Sequence, residues 1–333
     1  MTHDPREANA SGVSVVMPVL NEERHLASAV QRILDSRYDG PVQVVLALGP
    51  SSDATDAVAA DLAAADPRVI TVDNPTGRTA AGLNAAIAAA AHDIIVRVDG
   101  HALIPDDYLA VAVTTLQVTG ADNVGGIMGA EGISDFEQAV AAAMTSWFGV
   151  GGAAFHIGGE AGPALTVYLG CFRRSALERV GGFDESMVRA QDWELNHRIR
   201  QTGGLVWFTP DLHVTYRPRN SLKALAKQYF EYGRWRREVA RRHPETVSPR
   251  YLAPPATLIA VAGGTAIGII GAATRSRTVA ALGFAMPTGY AAANLVATAR
   301  AARDLPPQVA VRLPAVFATM HAAWGAGFLL GAR

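Results

Sequence analysis

Short apolar runs alternate with alanine-rich stretches of helical length over the first third of the chain. The runs predict buried strands at 13–18, 42–48, 69–72 and 93–98, and the stretches between them predict helices at 22–35, 52–65 and 78–91. Strands that alternate with helices of this length indicate a largely parallel sheet covered on both faces. We therefore predict an α/β fold that binds its ligand outside the carboxyl ends of the strands.

Polar loops follow the predicted strands. They contain Pro18 to Glu23, Gly49 to Thr55 and Asn74 to Arg78, with Asn84 on the helix after the third loop. Each loop alone is equally typical of helix caps and turn residues. Because the loops converge on one edge of a parallel sheet, their combination favours a binding site there.

The fourth predicted strand ends in Asp99-Gly100-His101. Residues two apart on a strand point the same way, so a carboxylate and an imidazole are predicted to hold one divalent cation, which in turn could bind a diphosphate. The alternative is a loop aspartate beside a surface histidine. His213, in a later apolar run, is a further candidate ligand or an ordinary strand histidine. Imidazole suits Mn²⁺ better than Mg²⁺.

Charge and cysteine content narrow the function classes. The 333 residues carry a formal net charge of −1, which gives no overall electrostatic reason to bind nucleic acid. A single cysteine, Cys171, excludes an internal disulfide. Met1 to Gly12 lacks the apolar segment of a signal peptide, so the catalytic part is expected to be cytoplasmic.

The C-terminal third has a different composition. Ala256 to Ala273 and Thr278 to Ala299 contain no charged residue, and Val309 to Leu330 contains Arg312 and His321. Each length is close to the roughly 20 residues that cross a bilayer core. We predict membrane-associated helices, with buried soluble helices or a shallow membrane hairpin as alternatives.

Two further segments have more than one interpretation. Residues 221–243 are predicted to form a basic amphipathic helix with aromatic residues, which suits an anionic membrane surface or the diphosphate of a lipid-linked ligand. The alternative is a helix packed on the α/β domain. The Gly- and Ala-rich stretch 130–162 is predicted to be a mobile segment that closes over substrate, or a plain solvent loop.

Several of these motifs together resemble family 2 inverting glycosyltransferases. The resemblance rests on Val13 to Glu23, Ser51 to Thr55, Asn74 to Arg78 and Val98 to His101. It continues through Gly181 to Glu185, Gln191 to Arg200, Tyr216 to Ser221 and Gln228 to Trp235, and it is closest to the succinoglycan-type exopolysaccharide subgroup. The resemblance implies a GT-A fold, Rossmann-like, with a mostly parallel sheet between helices.

Site residues follow from the resemblance together with the loops. Asp192 is the expected catalytic base. The expected nucleotide-sugar ligands are Pro18, Asn21, Glu22, Ser51, Asp53, Gly77, Arg78, Asn84 and Asp99. Acceptor or diphosphate contacts are expected at Gln191, Trp193, Gln228, Arg234 and Trp235, and the expected ligands of Mn²⁺ or Mg²⁺ are Asp99, His101 and His213.

Two positions depart from the usual family pattern. Leu48-Gly49 stands where paired acids are usual, so the carboxylate that typically reads the base is missing and the nucleotide is not specified. His101 stands where many members have Asp.

The expected activity is metal-dependent, inverting transfer from a nucleotide-sugar, taken as a UDP-sugar, to a membrane lipid-linked saccharide in surface polysaccharide or glycolipid synthesis. A polyprenyl-phosphate sugar synthase and an inactive assembly partner of a polysaccharide machine are the alternatives. The predicted organisation is a flexible N-terminus at 1–12, a donor half at 13–122, an acceptor half at 123–220, an interface helix at 221–250 and membrane helices at 251–333. The oligomeric state is not indicated.

Overall fold

The computed structural model describes residues 11–331, so the predicted flexible N-terminus lies almost entirely outside the described residues. The described chain divides into two compact units. The first runs to Gly129 and resumes over Gly158–Tyr216, and the second comprises Ala130–Ile157 and the chain from Arg217 onward. The two predicted halves of the catalytic domain contribute strands to one sheet.

This sheet has eight strands in the order β3-β2-β1-β4-β7-β5-β8-β6. The strands are β1 Val13–Val19, β2 Val42–Leu48, β3 Val69–Asp73, β4 Ile94–Arg97, β5 Asn123–Ala130, β6 Gly162–Pro163, β7 Tyr168–Arg173 and β8 Val206–Tyr216. Strands β1 to β4 are parallel to one another, whereas β7 runs antiparallel to both β4 and β5. The predicted α/β class and the four parallel strands are confirmed, and the antiparallel half adds to them.

Fourteen α-helices occur in the described residues. In chain order they are α1 Leu26–Leu34, α2 Thr55–Ala65, α3 Thr79–Ala89, α4 Tyr108–Thr119, α5 Asp135–Met144, α6 Trp147–Val150, α7 Ala154–Ile157, α8 Arg174–Val180, α9 Gln191–Gln201, α10 Leu222–Arg242, α11 Pro249–Ala273, α12 Arg277–Ala301, α13 Pro307–Ala310 and α14 Leu313–Leu330. Helices α1, α2 and α3 begin later than predicted, because the polar residues that follow each strand form hydrogen-bonded loops.

The core of the first unit explains the continuous apolar runs. Consecutive residues of β1, among them Val15, Val16 and Met17, are at most 1% exposed. A strand reads as uninterrupted apolar sequence when both faces of its sheet are covered. This buried centre holds the strand ends, and therefore the loops that follow them, in fixed positions.

The Gly- and Ala-rich stretch is largely helical rather than a loop. Helix α5 starts with a reciprocal capping box between Ser134 and Glu137, and Ala139, Val140 and Ala143 on it are fully buried. Both local capping and burial favour a packed helix. The loop interpretation missed this because alanine is compatible with helix and with coil in the absence of packing partners.

Three segments are long and apolar enough to cross a membrane. They are Pro249–Ala273, Arg277–Ala301 and Pro307–Leu330, of 25, 25 and 24 residues. Apolar side chains such as Ile270 and Leu282 are 58% and 71% exposed, which suits a lipid surface better than water. A Cβ on Gly283 of α12 would lie 2.1 Å from the backbone nitrogen of Gly268 on α11, so small residues bring these helices together as in membrane bundles.

Candidate active site

The loops after β1 and β2 are joined by Asn21. Its backbone has a φ of +56°, a left-handed conformation that Asn tolerates better than most residues. Its N–H donates to Ser51 Oγ at 3.1 Å, and its Oδ1 accepts from the Ser52 N–H at 2.8 Å. Asn21 and Ser51, two of the predicted nucleotide-sugar ligands, therefore lie together and stabilise the edge of the sheet.

A second set of hydrogen bonds surrounds Asp53, which is also predicted to bind the nucleotide-sugar. Its carboxylate accepts from the Thr55 hydroxyl, the Thr55 N–H and the Glu23 N–H. The hydrogen bond from the Thr55 side chain is the main cause that lowers the pKa of Asp53. Glu22 is anchored in the same place, since its N–H donates to Thr55 Oγ1 at 2.7 Å. The ionised Asp53 thus stabilises the loop geometry beneath Glu22.

The loop after β3 turns at Gly77, where φ is +63°. A Cβ on Gly49 would lie 3.1 Å from the Cα of Gly77, so a larger residue at position 49 would crowd this turn. The absence of an acid at Gly49 is consistent with that close approach. Arg78 follows the turn and is exposed, and its guanidinium has no hydrogen-bond or ion-pair partner among residues 11–331. The positively charged Arg78 guanidinium is therefore available to an anionic ligand at this edge of the sheet.

Asp99 and His101 do not extend β4, because the strand ends at Arg97 and the chain then turns. Asp99 Oδ1 accepts from Arg97 Nε at 3.0 Å and from Arg97 Nη2 at 2.9 Å. His101 Nδ1 lies 2.7 Å from Glu22 Oε1 instead. The expectation that strand alternation aligns Asp99 with His101 was therefore wrong, and the turn brings His101 to a different carboxylate.

Asp192 is the second residue of α9, and Ala190 before the helix has a φ of +60°. Asp192 therefore lies within the first turn of the helix, and no side chain caps the helix at Ala190. Arg97 Nη1 forms an ion pair with Asp192 Oδ1, so one guanidinium joins Asp192 to Asp99. The Arg97 side chain is 6% exposed. The predicted base and the predicted metal ligand therefore share a buried positive charge.

Electrostatics at this cluster adjust the basicity of Asp192. Burial raises the pKa of Asp192 from its ordinary value, and Asp99 adds to the rise, whereas Arg97 opposes it. A carboxylate is a stronger base when its pKa is raised, provided that it stays ionised at the working pH. Sequence analysis missed Arg97, although an arginine inside an apolar strand, two positions before Asp99, was a usable signal.

His213 lies on a different element from the other predicted metal ligands, which follow β4. It is an exposed residue of β8, and it packs beside Gly129, where an added Cβ would lie 1.9 Å from His213 Nε2. Among the described residues, Asp99, His101 and His213 do not form a three-ligand cluster. The predicted metal ligands on the turn after β4 are Asp99 and His101, and the Glu22 carboxylate lies beside His101.

Asn84 has a role that the sequence did not indicate. Its Nδ2 donates to Phe183 O at 2.9 Å and to Glu185 Oε1 at 3.0 Å, and its Oδ1 accepts from Phe183 N at 2.9 Å. Gly182 has a φ of +72°, and a Cβ there would lie 2.7 Å from Asn84 Oδ1. Arg198 of α9 also donates to Gly182 O. Asn84 therefore anchors the loop that precedes Asp192.

We expect Asn84→Ala to lower the free energy of unfolding by about 1–3 kcal/mol, because the backbone groups of Phe183 lose their partners. Thermal or chemical unfolding of the purified protein measures this. Unchanged stability together with weakened nucleotide-sugar binding would contradict the anchoring role. It would support the predicted contact between Asn84 and the nucleotide-sugar instead.

The remaining predicted residues divide between the two units. In the first, Pro18 lies in β1, Gln191 is buried, and Trp193 stacks on His197 with ring centroids 5.4 Å apart. In the second, α10 carries the other three. Gln228 donates to Tyr232, Arg234 donates to Gly331 O and pairs with Glu231, and Trp235 is partly buried.

Comparison with known proteins identifies the family. Residues 14–181 match the family model described as "Glycosyl transferase family 2". The chain is 34% identical over 266 residues to the succinoglycan biosynthesis protein ExoA of Rhizobium meliloti. The aligned region covers 79% of this chain and 80% of that protein.

Two more distant proteins are also similar. One is a Methanococcus voltae dolichyl N-acetyl-α-D-glucosaminyl phosphate 3-β-D-2,3-diacetamido-2,3-dideoxy-β-D-glucuronosyltransferase, 24% identical over 66% of this chain and 71% of that protein. The other is a solved structure, the mannosyltransferase PcManGT of Pyrobaculum calidifontis in complex with GDP-Man and Mn²⁺. It has a TM-score of 0.58 and 21% identity over 96% of this chain and 86% of that chain, which supports the GT-A fold. The chain belongs to glycosyltransferase family 2.

Proposed function

We propose that this glycosyltransferase moves one sugar, with inversion, from a UDP-sugar to a membrane lipid-linked saccharide during surface polysaccharide assembly. The observation that carries the proposal is the buried Arg97, which holds Asp192 and Asp99 together at the carboxyl edge of the parallel strands. Ligands of such sheets bind at this edge. A base and an anion-binding element are the two groups that a displacement at an anomeric carbon requires.

In the proposed reaction an acceptor hydroxyl oxygen bonds to the anomeric carbon as the bond from that carbon to the diphosphate oxygen breaks. Asp192 takes the hydroxyl proton, and the bond electrons leave with the nucleoside diphosphate. The position of Asp192 in the first turn of α9 favours its ionised form, and its raised pKa favours proton uptake. Arg97 keeps the carboxylate in place by their ion pair.

In this proposal the turn after β4 supplies the ligands of a divalent cation. Asp99 engages Arg97 through Oδ1, and His101 adds an imidazole on the same turn beside the Glu22 carboxylate. Carboxylate and imidazole together favour Mn²⁺, with Mg²⁺ as the second choice. A cation bound by Asp99 and His101 would stabilise negative charge on the departing diphosphate. The exposed Arg78 guanidinium is suited to the same diphosphate.

The acceptor class is proposed from the membrane helices and from the relatives. Three segments of this chain can cross a bilayer, and one relative is named for succinoglycan biosynthesis while another is named for transfer to a dolichyl-linked sugar phosphate. An enzyme that stays at a membrane is suited to an acceptor that stays there as well. The catalytic unit is placed on the cytoplasmic side in this proposal.

We expect Arg97→Gln to move the acidic limb of the pH profile of kcat/KM to higher pH. Arg97 opposes the burial that raises the pKa of Asp192, so its removal raises that pKa further, and a higher pH is needed to ionise the base. Transfer rates measured from about pH 5 to 9 test this. A lower rate with an unchanged limb would contradict the coupling and leave Arg97 a structural role only.

The product decides between acceptor classes. Purified protein in detergent is incubated with Mn²⁺, native membrane lipid extract and UDP-, GDP- and TDP-sugars in turn, and the lipid products are identified by mass. The proposal predicts a lipid-linked saccharide extended by one sugar, with a UDP-sugar as donor. A product with the sugar on a bare lipid phosphate would establish a polyprenyl-phosphate sugar synthase, and no product with any donor would favour an inactive assembly partner.

A further inference from the structure

A cavity of about 650 Å³ lies within the second unit. Its volume falls in the range of small-molecule sites. All three membrane-type segments contribute to its wall, with Tyr251 from α11, Tyr290 from α12 and Trp324 from α14, and Trp147 of α6 lines it as well. Trp and Tyr are the side chains that concentrate at the boundary between a membrane and water. The composition of the wall therefore suits an amphiphilic ligand.

The charged side chain that lines this cavity is positive. Arg250, at the start of α11, is the only Lys, Arg, Asp or Glu among the lining residues. Its guanidinium lies 5.5 Å from the centroid of the Tyr251 ring, and it has no ion-pair partner in the described part of the chain. Arg236 stacks on the same ring at 3.7 Å. Burial lowers the pKa of Arg236 to about 10, so it still carries its charge at neutral pH. The cavity thus offers a cation to an anionic group.

An unmet hydrogen bond is the second polar feature of the cavity. The Nδ1 atom of His156 is inaccessible to solvent and has no hydrogen-bond partner among residues 11–331. Burial, aided by Arg250, lowers the pKa of His156 to about 3, so the imidazole is neutral near pH 7. An unsatisfied buried polar atom costs stability unless a ligand or water completes it.

The other histidine of the cavity differs in this respect. His321 of α14 has both ring nitrogens in hydrogen bonds, Nδ1 with the Tyr290 hydroxyl at 3.0 Å and Nε2 with Phe148 O at 2.8 Å. These bonds link α6, α12 and α14 within the unit. The charge available to a ligand in the cavity is therefore that of Arg250, while most of the wall is aromatic and aliphatic.

We infer that this cavity binds the phosphate-bearing end of a prenyl-type lipid, the anchor of the acceptor, and the inference rests on the proposed function. Arg250 pairs with the phosphate, since guanidinium groups form strong charge-assisted hydrogen bonds with phosphate oxygens. His156 lines the same cavity as a neutral imidazole. The aromatic rings contact the first part of the hydrocarbon chain. A nucleotide is disfavoured because no carboxylate or amide side chain lines the wall to bind the ribose hydroxyls and the edge of a base.

The binding test uses a photoreactive prenyl phosphate that carries a diazirine near the phosphate, the full-length protein in detergent, and no sugar donor. After irradiation, the modified peptides are located by mass spectrometry. Labelling is expected on cavity residues of α6, α11 or α14, and excess unlabelled prenyl phosphate is expected to remove it. Labelling confined to residues outside the cavity would overturn the inference, as would equal displacement of the probe by phosphatidylglycerol, which would indicate a general phospholipid site.

Three variants sharpen this test. Arg250→Gln removes the cation at an exposed position, and Thr257→Trp fills the cavity from α11. Each is expected to reduce labelling and to raise the KM for the lipid acceptor by about tenfold, with the KM for the nucleotide-sugar unchanged. Arg303→Gln is the matched control, because Arg303 is an exposed arginine of the same unit outside the cavity.

The inference and the proposed function fail in different ways. If the probe labels the cavity and Arg250→Gln prevents it while no sugar transfer occurs with any donor, the lipid site stands and the transfer to a lipid-linked saccharide is wrong. If transfer occurs and neither Arg250→Gln nor Thr257→Trp changes labelling or the KM for the acceptor, the function stands and the lipid site is wrong.

Discussion

Asp192→Asn is expected to reduce kcat for sugar transfer by about 10²- to 10⁴-fold, the usual contribution of a positioned general base. Asn has nearly the size of Asp and keeps a hydrogen-bond acceptor toward Arg97, but it cannot take the acceptor proton. Binding of the nucleotide-sugar is expected to stay close to wild type. Single-turnover transfer from a radiolabelled donor to extracted lipid, with donor affinity measured in parallel, tests both parts.

Asp61→Asn is the matched control for this prediction. Asp61 is an exposed residue of α2 in the same unit, so the same change of charge is expected to leave transfer unchanged. Retained turnover in Asp192→Asn would remove Asp192 from the role of base. Loss of donor binding as large as the loss of turnover would instead indicate that Asp192 organises the donor site.

Asp99→Asn is expected to weaken Mn²⁺-dependent binding of the nucleotide-sugar by about tenfold or more, because a neutral amide is a much poorer ligand for a divalent cation than a carboxylate. Calorimetric titration of the donor in the presence of Mn²⁺ and then of a chelator measures the metal-dependent part. Binding with the same dependence on Mn²⁺ as in the wild type would remove Asp99 from the metal site.

His213→Ala belongs in the same titration. His213 is exposed on β8 and lies beside Gly129, and it forms no three-ligand cluster with Asp99 and His101. We expect this variant to retain metal-dependent binding. A loss comparable to that of Asp99→Asn would establish His213 as a ligand that moves toward the cation on binding.

The parallel half of the fold could be predicted because its signal is local. Each of β1, β2 and β4 is predominantly apolar, and such runs arise when both faces of a sheet are buried. The polar loops then follow from the strand ends, and the motifs within them were specific enough to indicate the family. The three helices that could cross a membrane were predicted for the same reason, since the length and composition of a span are read from one segment.

What escaped prediction depends on contacts between distant residues. The pairing of Arg97 with Asp192 joins residues 95 positions apart, and Asn84 meets the Phe183 backbone across 99 positions. No period or spacing in a single sequence indicates such pairs. The aromatic cavity could not be predicted for the same reason. Its lining residues Trp147, Tyr251 and Trp324 come from three separate segments, and each alone is an ordinary aromatic residue.

Release of nucleoside diphosphate from a UDP-sugar shows whether transfer depends on both the metal and the lipid acceptor. Release is measured with the purified protein in four mixtures, with and without Mn²⁺ and with and without native membrane lipid. Rapid release is expected only when both are present, because the acceptor hydroxyl must displace a diphosphate whose charge the cation stabilises. Equal release in the presence and absence of lipid would contradict it by showing that water, rather than a lipid-linked saccharide, receives the sugar.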